Sequence, residues 1–172
     1  MAIKEHKQHV HAANCIVITV SDTRTEDTDK SGKRITSLLT ENGHYVKNKR
    51  IVPDEMQAIR QALTDACKEK DVDAVILNGG TGIAKRDVTI EAVSGLLEKE
   101  IPGFGEIFRL LSFQEDIGSA AILSRAIAGI FYNTIIFSVP GSSGAVTLAM
   151  NRLILPELSH ILHELRKDLT SK

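Results

Sequence analysis

The chain has 172 residues, enough for one domain with a sizeable core. Hydrophobic residues make up 42% and charged residues 25%, ordinary proportions for a globular protein. The balance of 21 basic against 22 acidic residues gives no electrostatic case for nucleic-acid or membrane-surface binding, and no apolar run approaches the ~20 residues of a membrane span.

Residues 1–12 read as a flexible tail and residues 13–168 as a single domain. His6, His9 and His11 could ligate a metal, but no other ligand type accompanies them, so a solvated tail is the better reading. The tail is polar and lacks the apolar stretch of a secretory signal, and the expected compartment is the cytoplasm.

Cys15–Val20 (CIVITV) is an unbroken β-branched run, the mark of a strand covered on both faces. Ile35, Leu38 and Leu39 share a helical face that Asn42-Gly43 ends. His44–Val52 is more polar and reads as an edge strand, whose basic residues discourage pairing with another chain. Met56, Ile59, Leu63 and Ala66 form the next helical stripe. Ala74–Leu77 (AVIL) is a second buried strand. Ile90, Val93, Leu96 and Leu97 make a third stripe, and Phe104, Ile107, Phe108 and Leu111 a fourth. Thr134–Val139 (TIIFSV) is the third buried strand. Val146, Ala149 and Leu153 predict one helix. Leu158, Ile161, Leu162 and Leu165 predict another, with Pro156 in its first turn. Cys15 and Cys67 have no metal-type spacing and read as buried reduced thiols. His160 and His163 could pair on the last helix, although a surface helix explains them better. Strands alternating with helices predict an α/β fold, a three-layer α/β/α sandwich around a mostly parallel sheet.

Ligands of such sheets sit beyond the carboxyl ends of the strands. Three loops belong there. The first, Ser21-Asp22-Thr23-Arg24 through Asp29-Lys30-Ser31-Gly32, carries hydroxyls and carboxylates, and Asp29 or Ser31 could simply cap a helix. The second is Gly79-Gly80-Thr81-Gly82. Its glycines can turn several backbone N–H groups toward one point and leave no Cβ in a ligand's way, which suits phosphate. It is neither a P-loop nor a spaced dinucleotide fingerprint. Asp87-Val88-Thr89 follows at a helix start. Asp87 or Thr89 could be an N-cap, or Asp87 could hold Mg²⁺, since a carboxylate beside a phosphate cradle needs a cation between them. The third loop is Pro140-Gly141-Ser142-Ser143-Gly144, where a serine cap and an anion site are both open readings. No cysteine or histidine lies in these loops. Positioning and charge neutralisation, as in phosphoryl or nucleotidyl transfer, fit better than covalent catalysis. A hydrolase or nucleotide sensor using the same loops is a rival.

The segments NGGTGIAKRDVT, IPGFGEIFR, AILSRAIAG and SVPGSSGAV, in this order and with IVPDE at 51–55, closely resemble the molybdenum cofactor biosynthesis protein B / Mog family. The resemblance runs from about Cys15 to the C-terminal helix. It implies a homotrimer or homohexamer that binds molybdopterin, a pterin with a dithiolene and a terminal phosphate. It further implies transfer of AMP from Mg-ATP to that phosphate, with release of pyrophosphate. Some members serve as pterin carriers, so a non-catalytic molybdopterin-binding subunit is the alternative. Other enzymes of that pathway become candidate partners. By the same resemblance, Asp54 and Asp87 are the catalytic acids, with Asp87 on the metal. The expected binding residues are Ser21, Asp22, Gly79, Gly80, Thr81, Gly82, Ser124, Arg125, Pro140, Gly141 and Ser142. Two departures stand out: Ile90 replaces a frequent proline after DVT, and PGSSGAV resembles the protein B branch rather than the PGNP or PGQP of many transferases.

Overall fold

Cys15–Val20 and its two relatives have side chains to bury on both faces, and the chain builds one sheet around them. The computed structural model describes residues 11–167, so most of the expected tail, including His6 and His9, lies outside the described residues. In chain order the elements are β1 (Asn14–Val20), α1 (Lys30–Glu41), β2 (Tyr45–Val52), α2 (Met56–Lys68), β3 (Ala74–Asn78), α3 (Thr89–Ser94), β4 (Lys99–Glu100) and α4 (Pro102–Glu115). A 3₁₀ turn (Gly118–Leu123), β5 (Ile127–Phe131), β6 (Thr134–Val139), α5 (Ser143–Ala149), a π-helical turn (Met150–Ile154) and α6 (Leu155–Arg166) complete them.

Among the described residues, six strands form one sheet in the order β2-β1-β3-β6-β5-β4. The pairings β1–β2, β1–β3 and β3–β6 are parallel, and β5 runs antiparallel to both β6 and β4. Alternate side chains of each strand serve opposite layers. Cys15, Val17, Ile76, Ile135 and Phe137 pack with α1, α4, α5 and α6 through residues such as Leu39, Phe108, Val146 and Leu158. Ile16, Ile18, Val75, Leu77 and Ile136 pack with α2 and α3 through Ile59, Leu63 and Val93. The expected three-layer α/β/α sandwich, with β2 at one edge, is therefore observed. Both cysteines are free and buried, and burial pushes each thiol up to about 12.

Four local expectations need correction. Strands β4 and β5 stand where the sequence pattern predicts none. Helix α3 ends at Ser94, so Leu96 and Leu97 pack from the turn beyond it. Ile107 is 48% exposed and does not join the core stripe of α4. The two expected C-terminal helices form one continuous helical run, because Leu155 N–H reaches back to Met150 O across the wider π turn. That wider turn stands just ahead of Pro156, which has no N–H to give to a regular helical ladder.

The chain leaves β1 for β2 on one side and returns through β3 on the other. The direction of winding thus reverses between β1 and β3, which opens a crevice at their carboxyl ends.

Candidate functional site

A cavity of about 410 Å³ fills that crevice. Ser21, Thr23 and Arg24 come to it from the loop after β1, residues 79–82 from the loop after β3, and Pro140 and Gly141 from the loop after β6. Asp87, Leu123 and Ser124 close the remaining sides. The three expected loops are brought together. Leu123 and Ser124 come from the 3₁₀ turn and its cap.

The glycine loop takes a path that other residues rarely follow. Gly79 and Gly80 have φ of +98° and +64°. A Cβ on Gly79 would lie 2.3 Å from the Val20 carbonyl oxygen. A Cβ on Gly80 would lie 2.2 Å from Thr89 Oγ1 and 2.6 Å from Asp54 Oδ1. Both of those oxygens are buried without a hydrogen-bond partner in the protein. Asp54 thus sits behind the loop rather than on the cavity wall. Its backbone N–H donates to Asp22 Oδ1 at 2.9 Å. Burial raises the Asp54 carboxyl above its usual range, and the charges of Asp22 and Asp87 add to that, against a smaller lowering by a hydrogen bond from Asp22 and by Arg86.

Asp87 is on the wall. Its Oδ2 accepts the Ala84 N–H at 3.0 Å while its own N–H donates to Ala84 O at 2.9 Å, closing a tight turn. A Cβ on Gly82 would fall 2.6 Å from the same Oδ2, so loop and carboxylate are in contact. Asp87 is not the helix cap: Val88 holds that position with no side-chain bond.

Arg125 does something other than line the cavity. Its Nε donates to Thr81 O at 3.0 Å, and its Nη2 donates to Gly82 O at 2.7 Å and Asp87 O at 3.1 Å. Its Nη1 bonds Glu91, whose carboxyl is held below its usual range chiefly by that bond. The planar guanidinium fork therefore clamps the loop from outside.

Comparison with known proteins gives the family of the chain that builds this cavity. A family model described as "probable molybdopterin binding domain" matches residues 16–160. The molybdenum cofactor biosynthesis protein B of Bacillus subtilis is 59% identical over 98% of this chain and 99% of its own. The chain belongs to the molybdenum cofactor biosynthesis protein B / Mog family. A crystal structure of a molybdenum cofactor biosynthesis protein B superposes with a TM-score of 0.89 at 59% identity, covering 91% of this chain and 97% of the other. The tungsten cofactor synthesizing protein MoaB of Pyrococcus furiosus superposes at 0.81 with 39% identity, covering 91% of this chain and 98% of its own.

Within this protein B / Mog fold, Ser142 is the N-cap of α5, its Oγ accepting the Ala145 N–H at 3.2 Å. Ser21 Oγ likewise accepts the N–H groups of Thr23 and Arg24 at 3.2 and 3.1 Å, fixing the first loop. Asp29 caps α1 through Gly32 N–H at 2.9 Å, one of its open sequence readings. Two residues carry more than the sequence suggested. Asp29 is fully buried and also accepts the Thr19 hydroxyl at 2.8 Å, while Arg24 Nη2 donates to Gly141 O at 3.0 Å. Their partners are distant in sequence; the only local signal was a carboxylate opposite a basic residue in one loop. Among the described residues, no group of three His, Cys, Asp or Glu could hold a metal. An octahedral Mg²⁺ that keeps waters and shares phosphate oxygens asks for only one or two carboxylates, and Asp87 on the cavity wall offers one.

Proposed function

We propose that this protein adenylylates molybdopterin, using Mg-ATP and releasing pyrophosphate. The observation that carries the reading is the pair Asp54 and Asp87 placed behind and beside a loop whose three glycines, Gly79, Gly80 and Gly82, have no room for a Cβ. In the reaction, the pterin's terminal phosphate oxygen attacks the α-phosphorus of ATP. A new P–O bond forms, the α–β bridge bond breaks, and its electron pair leaves on pyrophosphate. Nothing needs to be covalently attached to the protein, so its task is alignment and charge control.

The Gly79 N–H is already given to Val139 O at 3.1 Å, so the amides that follow it, from Gly80 to Gly82, are the ones that suit a nucleotide phosphate group. Asp87 would hold Mg²⁺, which would supply charge neutralisation for the triphosphate and for the leaving pyrophosphate, while Asp54 would act from behind the loop. Arg125 fixes the loop and keeps the Gly82 carbonyl turned away from the ligand. Ser21, Ser124, Pro140 and Gly141 shape the pterin side of the cavity, and Asp22 and Ser142 set the backbone around it. We also propose self-association into a trimer or hexamer. In support, Leu110, Phe113, Ile117 and Ile122 are 52%, 56%, 46% and 82% exposed along α4 and the 3₁₀ turn.

A coupled pyrophosphate assay with molybdopterin, ATP and Mg²⁺ tests the reading. Release that requires both substrates, and is lost in Asp87→Asn, is expected. Asparagine keeps an acceptor for Ala84 N–H and removes only the charge. Tight pterin binding without pyrophosphate release would reduce the protein to a carrier, and ATP consumption without pterin would point to a hydrolase.

A further inference from the structure

Two charged residues line the cavity, Arg24 and Asp87, and they stand at different ends. Arg24 is at the Gly79–Gly141 end, where a Cβ on Gly141 would come 3.1 Å from Gly79 Cα and 3.8 Å from Arg24 Nη1. Asp87 is at the Gly82 end. A guanidinium takes a phosphate dianion directly, whereas a carboxylate takes one only through a cation.

Arg24 is held in place from behind. Nη2 donates to Gly141 O at 3.0 Å, Nη1 bonds Ser31 Oγ, and Asp29 Oδ1 lies 3.7 Å away. These contacts use Nη1 and one N–H of Nη2, leaving Nε–H and the other Nη2 N–H for a ligand. The side chain is 32% exposed and lines the cavity. Asp29 is itself fixed by Thr19, Gly32 and a second cation, Lys49, at 3.7 Å. A fully buried carboxylate with two cations beside it exceeds what a helix cap requires.

We infer that Arg24 is the direct contact for a phosphate monoester dianion, taken without a divalent cation at the end of the cavity away from Asp87, with Asp29 as its positioning residue. The assignment rests on the cavity's being an adenylyl-transfer site and fixes its polarity. The pterin's monoester lies at Arg24, and the nucleotide's triphosphate lies at Asp87.

Titration of the full chain with inorganic phosphate in excess chelator, followed by ³¹P NMR, and separately with Mg-ATP by calorimetry, tests this. Wild-type phosphate binding should be unaffected by the chelator. Arg24→Gln should weaken it by about tenfold or more, while Mg-ATP affinity changes by less than about threefold. Arg24→Lys should recover part of the loss. Asp29→Asn, which can still cap α1, should show the same split between phosphate and Mg-ATP; a purely structural role would weaken both together. If Asp29→Asn does not fold, the Arg24→Gln and Arg24→Lys pair decides alone. Phosphate affinity within about twofold of wild type in Arg24→Gln, or phosphate binding that needs Mg²⁺, overturns the assignment. If Mg-ATP binding is meanwhile lost in Asp87→Asn, the adenylyl-transfer reading survives. Failure of the wild type to bind either probe overturns both.

Discussion

Asp54 and Thr89 each bring one buried, partnerless oxygen to the underside of Gly80. A side chain at position 80 would therefore strike the protein before it reached a ligand. Gly80→Ala places a β-carbon in a left-handed conformation, 2.2 Å from the hydroxyl of a buried, stiff threonine. The expected cost is about 2–4 kcal/mol by urea denaturation. The double variant Gly80→Ala/Thr89→Ala should regain part of it. A single variant as stable as wild type would show that the loop bends without cost.

The raised carboxyl of Asp54 has a sign that runs against most aspartates. A proton binds this group more tightly in the folded state than in the unfolded chain. Its contribution to stability is complete below the ordinary aspartate range and is lost as pH rises through the folded value. Asp54→Asn should accordingly raise the melting temperature at neutral pH, with the gain shrinking toward acid, and should abolish turnover. Equal gains at pH 3 and pH 7 would contradict this account.

Arg125→Ala removes three backbone clamps and the Glu91 ion pair at once. Amide exchange should quicken between residues 81 and 89 while β3 and β6 stay protected. Arg125→Lys should not restore protection, because an ammonium cannot reach several carbonyls in one plane. Unchanged exchange in the alanine variant would remove Arg125 from the loop's support.

Gly32 sits in the first turn of α1, where alanine ordinarily gains about 1 kcal/mol. Here a Cβ would meet Asp29 Oδ2 at 2.1 Å and Thr19 Oγ1 at 2.7 Å. The clash with a buried, bonded carboxylate outweighs the propensity, so Gly32→Ala should lower stability by about 1–3 kcal/mol in denaturant titration. A stabilised variant would mean that Asp29 is free to move aside.

The layered fold was legible because β1, β3 and β6 are buried on both faces and so read as unbroken apolar runs. Strand β4 has two exposed charged residues, and β5 is short with Gly129 at its centre, so neither carries a periodic signal. Leu96 and Leu97 kept helical spacing past a helix that had already stopped. In the site, the glycine loops announced themselves through composition. Arg24 and Asp29 did not, because a polar loop that caps a helix looks the same whether or not its arginine meets a carbonyl 117 residues away.

Strands β5 and β6 are joined by Tyr132 and Asn133, with φ of +49° and +59°, the tight turn that matches strand twist. Every parallel pairing in the sheet must wait for an intervening helix, whereas this hairpin can close on its own within microseconds. Folding is expected to start there, with φ-values highest at Ile130 and Ile135 and lowest around Ser21 and Gly79. The ligand-binding rim would then be the last part of the molecule to take shape, and the first to open when it comes undone.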